Sequence, residues 1–156
     1  MMQAPKTLAI VLIAALIAAL FLAVAPASAA SNEPGVHLTS MTIEPYCENF
    51  NVTVHYSTSF MTRIFSVLFG ARIVQPGIVD QLSGFGEVKL VSIDTSGQVA
   101  KLQAINQTQL SGGYYFYDGN ATFPWAIDTL EIKGNNLDRP IMANNTVSVP
   151  TFFYRS

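Results

Sequence analysis

Apolar and polar positions follow three different patterns along this chain, and each change of pattern marks an element. The first is an uninterrupted run. Leu8 to Ala25 is 18 residues without a charge, preceded by Lys6 and followed by Pro26-Ala27-Ser28-Ala29-Ala30. A positive start, an apolar centre and small residues around a cleavage position form the layout of a secretory signal. The cut is expected after Ala29 or Ala30. As a helix the run would be about 27 Å long, enough to cross a bilayer core if it were kept. Residues 1–30 therefore read as a signal peptide or an N-terminal membrane anchor. Residues 31–156 read as one extracytoplasmic domain, secreted or attached to the cell envelope.

The second pattern is alternation. Val36 to Ile43 is β-branched and apolar and ends before Pro45. From Asn49 to Tyr56, Phe50, Val52, Val54 and Tyr56 share one face, and Asn51, Thr53 and His55 share the other, as in a half-buried strand. Glu87 to Ile93 and Gln98 to Ile105 flank a hairpin signal, Asp94-Thr95-Ser96-Gly97. The aromatic run Tyr114 to Tyr117 follows Gly112-Gly113 and ends at Asp118-Gly119-Asn120. Ala126 to Lys133 alternates again. The last strand predicted is Thr146 to Tyr154, which Pro150 must place on an edge or split in two.

The third pattern has helical spacing. Phe60, Met61, Ile64, Phe65, Val67, Leu68 and Ala71 recur at three and four, with Ser57, Thr58 or Ser59 available as the N-cap. This helix is expected to pack onto the sheet. A second, short helix should run from Pro76 to Leu82 and end at Gly84 or Gly86. Together they make a helical insert at about 58–84. Six or seven short strands at this spacing predict a mainly β fold, an immunoglobulin-like antiparallel β-sandwich carrying the insert. An α+β layer, with helices on one sheet face, is the alternative.

Composition narrows the function classes. Half of the 156 residues are apolar and 12% are charged, which excludes a disordered chain or a coiled coil. Eight basic and ten acidic side chains leave no basic face for nucleic acid. The single cysteine, Cys47, cannot form an intrachain disulfide, so the core must hold the domain by itself, and Cys47 is expected to be a buried, inert thiol. Asn-x-Thr occurs at Asn51, Asn106, Asn120 and Asn144, more often than nine Asn and 24 Ser plus Thr give by chance. Each is an acceptor for an N-glycan if the host glycosylates exported proteins.

Catalytic patterns are sparse. Only His37 and His55 could serve as a nucleophile's base, and there is no Gly-x-Ser-x-Gly elbow. His37, Glu44, Cys47, Glu48 and His55 fall close together, but without the spacing of a closed zinc site. Phosphate-loop and dinucleotide motifs are absent, and no cofactor is implied. Binding features are clearer. In a strand, alternate members of Tyr114 to Tyr117 face opposite ways, so two of the four can be exposed. Tyr115 and Tyr117 with Trp125 are the candidates there, and Phe65 and Phe69 on the first helix form a second group.

The sequence thus points to a non-enzymatic exported module of the cell surface, binding a protein partner, a copy of itself or a glycan. Its contact with a membrane would run through the N-terminal helix if that is uncleaved. The alternatives are a structural subunit of an envelope assembly, joined through the last strand, and a secreted hydrolase using dispersed residues such as Asp94, Asp118 and His55. Intact mass of the protein from membrane and medium fractions of its host tests the processing. A mass short by residues 1–29 or 1–30, with added glycan, is expected; a full-length, unmodified mass in the membrane fraction would make the run an anchor and leave the sequons unused.

Overall fold

The computed structural model describes residues 35–155, so the apolar run and its cleavage position lie outside the described residues. The domain is mainly β. Its elements in order are β1 (Val36–Tyr46), β2 (Asn49–Thr58), α1 (Phe60–Phe69), α2 (Gln75–Gln81), β3 (Val88–Asp94), β4 (Val99–Ala104), β5 (Gln109–Ser111), β6 (Tyr114–Tyr117), β7 (Thr122–Ile132), β8 (Ile141–Ser148) and β9 (Phe152–Arg155). Short 3-10 turns at Ala71–Ile73 and Ser83–Phe85 follow the two helices.

Six strands form a large sheet in the order β3-β4-β2-β1-β7-β8, and β5-β6-β9 form a small one. The expected all-antiparallel wiring is not what the chain adopts: β1 lies parallel to β7, which makes the large sheet mixed. Parallel neighbours need a long crossover, and here the whole stretch from β2 to β6 supplies it.

Alternation decides the faces. Phe50, Val52, Val54 and Tyr56 of β2 are buried beside Ala100, Leu102 and Ala104 of β4. Leu38, Met41 and Ile43 of β1 and Leu130 and Ile132 of β7 extend the same apolar surface. A bulge between Leu38 and Ser40 changes the parity of β1, which keeps both Leu38 and Met41 inward. The inward row is covered by two different pieces of chain. Val74, Ile78, Leu82 and Phe85 of the helical segment are buried in one core with it, and so are Tyr117, Phe152 and Tyr154 of the small sheet. Where α2 crosses the start of β1, the Gln81 side chain donates from Nε2 to the Val36 carbonyl.

Turn chemistry sets the connections. Gly112 and Gly113 have φ of 59° and 83°, the double left-handed pair of a two-residue hairpin turn, so Ser111 pairs with Tyr114 and a short β5 forms. Three residues were too few to register as a strand in the sequence. The strand predicted over Thr146 to Tyr154 is two strands, broken by Val149-Pro150-Thr151. The first half, β8, edges the large sheet and the second, β9, edges the small one. Pro150 thus marks the point where the chain changes layer.

Gly84 sits where the turn after α2 meets β7. A Cβ there would lie 2.1 Å from the Thr122 carbonyl oxygen and 2.8 Å from its backbone nitrogen. Main chain cannot swing aside as a side chain can, so Gly84→Ala should cost about 1–3 kcal/mol or more of stability. Gly35→Ala, which meets nothing within 4 Å, serves as the control. Urea unfolding checks the pair; equal midpoints would show that the turn can lift from β7 freely.

Candidate functional site

The small sheet has an inner and an outer face, and the register assigns each ring. Tyr115 pairs with Tyr154 and Tyr117 with Phe152, all facing the core, while Tyr114 pairs with Arg155 and Phe116 with Phe153 on the other side. On the outer face Phe153 is 64% exposed, Phe116 46% and Tyr114 43%. The Tyr114 and Phe153 rings meet edge to face with centroids 6.0 Å apart. With Gln109 and Ser111 of β5 they line an open hollow of about 440 Å³, within the size range of small-ligand clefts. Rings supply apolar area, and the amide and hydroxyl on β5 supply hydrogen bonds at one side.

Of the aromatic residues singled out in the sequence, the structure divides the strand pair the opposite way. Tyr117 is fully buried and its hydroxyl accepts the Ala121 N–H at 2.9 Å, so it is unavailable to a ligand. Tyr115 is half-buried and stacks on Tyr154 at 5.3 Å. The exposed members are Tyr114 and Phe116, and Phe153 of β9 completes the face. Alternation alone fixes that two of four rings face out, but not which two; the pairing with Phe152 and Tyr154, 35 or more residues later, decides it. Trp125 lies exposed on β7 and does not line the hollow.

Phe65 and Phe69 are both exposed on α1 and stack on each other at 6.0 Å. The helix forms where expected, with Ser59 as N-cap accepting the Thr62 N–H, and Gly70 at its C-cap. It does not pack onto the sheet. Phe60, Met61, Ile64, Val67 and Leu68 are exposed as well, and Ser66 is its one buried residue. The anticipated packing is made instead by α2, whose Ile78 is buried.

Polar candidates are scattered. His55 is exposed on the outer face of the large sheet. The Asp94 carboxylate accepts the N–H groups of Ser96 and Gly97 in the β3–β4 turn, and Asp118 accepts that of Asn120 in the β6–β7 turn. These three acid and base groups do not line a common hollow. A pair not foreseen from the sequence is His37 Nε2 with Asp128 Oδ1, 3.0 Å apart on adjacent parallel strands, with both side chains about half exposed. Among the described residues no three His, Cys, Asp or Glu side chains gather where a metal ion could sit. Cys47 is exposed, contrary to expectation. It occupies the β1–β2 turn with φ 51°, a position that a hairpin turn requires and that lies outside the core. All four sequon asparagines are exposed.

No protein-family model matches the chain, and neither does any curated protein or solved structure.

Burial raises the pKa of Tyr117 above its usual 10.0, against the lowering effect of the Ala121 N–H, and Asp118 adds to the rise. Burial likewise raises that of Tyr154, against the Thr108 hydroxyl that bonds it. A phenol with a raised folded pKa contributes stability that is complete below about pH 10 and lost as pH climbs through the folded value. Resistance to urea should therefore fall above about pH 10, and fall less steeply in Tyr117→Phe and Tyr154→Phe. Parallel slopes in all three proteins would show that these phenols ionise without loosening the fold.

Proposed function

We propose that this protein is a non-enzymatic, exported module of the cell surface or envelope that binds a protein partner through the outer face of its small sheet. The observation that carries the reading is the exposure of Phe153, Phe116 and Tyr114 side by side on strands paired to one another. Aromatic residues held this way are the side chains that anchor protein interfaces, because two torsions suffice to fix a large area. The adjoining strand β5 ends the sheet, and all three of its residues are exposed. A partner seated on the rings would find backbone groups beside them with which to add a strand. The scaffold in this reading is a two-layer β structure of the sandwich kind. Its two packed sheets support the immunoglobulin-like form, while α2 on one face of a mixed sheet favours the α+β layer.

A glycan is the second reading, favoured by Gln109 and Ser111 beside the rings. Sugars on the protein itself would leave the face open at one end. Asn106 and Asn120 line a neighbouring hollow with Phe116, whereas Asn136, Asp138 and Arg155 border the Tyr114 end. Export rests on the apolar run and Ala-Ser-Ala site of residues 8–30.

Binding of the protein to envelopes isolated from its host distinguishes the readings. Phe116→Ser with Phe153→Ser should keep the circular dichroism of the wild type and lose roughly tenfold or more in affinity. Protease treatment of the envelopes should abolish binding; sensitivity to periodate in its place would make the ligand a glycan. Unchanged affinity in the double variant would remove the face from consideration.

A further inference from the structure

Helix α1 carries a wide apolar arc that faces outward, with Phe60 76% exposed, Leu68 68%, Phe69 64% and Val67 62%, while Thr62, Arg63 and Ser66 share its other side. An amphipathic surface helix hides its apolar stripe against its own fold, whereas α1 buries only Ser66 and leaves its apolar arc outside. Its charge is also one-sided. Between Ser57 and Val79 there is no acidic residue, and Arg63 and Arg72 are the only charged ones. The chain reaches the domain at the same place. Val36 opens β1 under α2, bonded to Gln81, and a Cβ on Gly77 would stand 3.0 Å from the Val36 side chain. Nine residues, 26–34, connect that point to the end of the 18-residue apolar run, a reach of at most about 30 Å.

We propose that α1 is a membrane-interface helix. In the form that keeps residues 1–30, it lies in the surface of the bilayer which the Leu8–Ala25 run enters. Phe60, Phe65, Leu68 and Phe69 sit at the acyl boundary, with Arg63 and Arg72 among the lipid phosphates. A helix with its apolar arc turned outward and a polar side behind it suits the boundary between headgroups and hydrocarbon, and two cations in a segment without an acidic residue suit anionic headgroups. The surface is separate from the aromatic face of the small sheet, and the inference stands without it.

The test uses the full chain reconstituted into vesicles of phosphatidylcholine and phosphatidylglycerol, with Trp125→Phe removing the native indole. Leu68→Trp reports on α1, and Val91→Trp, on the exposed strand β3, is the control. With acyl-brominated lipid, Leu68→Trp should lose most of its emission and be shielded from aqueous iodide, while Val91→Trp shows the reverse. Iodide quenching of Leu68→Trp without bromolipid quenching would overturn the proposal. Shielding from both quenchers would overturn it as well, because a second copy or another protein surface would then be the cover. Bromolipid quenching at both positions would spread the contact over the domain and remove α1's special role.

Discussion

The ring of Phe50 is where the two layers and the helical segment meet. It lies on β2 in the middle of the large sheet, with its centroid 5.2 Å from Tyr117, 5.6 Å from Phe152 and 6.3 Å from Phe85. One fully buried side chain thus touches β6, β9 and the turn after α2, segments that stand 35 to 102 residues further along the chain. With no disulfide available, this aromatic packing is what ties the small sheet down, and losing such a ring typically costs about 3–5 kcal/mol. It also fixes the outer surface. Because Tyr117 and Phe152 turn inward to meet Phe50, strand alternation obliges Phe116 and Phe153 to turn outward.

Local pattern carried much of the architecture, and its failures share a cause. The alternation of β2 and β4, the caps of α1 and the position of α2 are written in neighbouring residues, and the mainly β class follows from them. The parallel β1–β7 pair, the outward side of Tyr114 to Tyr117 and the exposure of α1 are long-range facts. Each depends on which distant segment covers a shared apolar surface. For α1 the competition was with α2: Val74, Ile78, Leu82 and Phe85 fill the space over the sheet, so the more apolar helix is left outside. Hydrophobicity alone ranks them the other way. Pro150 announced a break correctly, but only the pairing of its two sides shows that β8 and β9 belong to different sheets.

The polar groups of the interior serve as fasteners. Tyr154 donates its hydroxyl to the Cys47 carbonyl in the β1–β2 turn, and Thr108 bonds the same pair from the loop before β5. Tyr117 holds the backbone of Ala121 at the start of β7. Among the described residues no buried side-chain polar atom lacks a partner. On the surface, the carboxylates of Asp94 and Asp118 are engaged in turns.

What the surface does offer is two apolar regions of opposite character. Leaving a large apolar side chain in water forgoes about 1.5–3 kcal/mol relative to burying it, and this chain does so repeatedly on α1 and again on the small sheet. The sheet face is stiff: its rings are held by paired strands, a two-residue glycine turn and the Phe50 cluster beneath. Rigidity of that kind reduces the ordering cost of association and rewards a partner of matching shape. Helix α1 turns its polar side, with the buried Ser66, toward the domain and its apolar arc away from it. A fluid hydrocarbon boundary can cover that arc, and the uncharged run that precedes the domain would hold such a boundary close by.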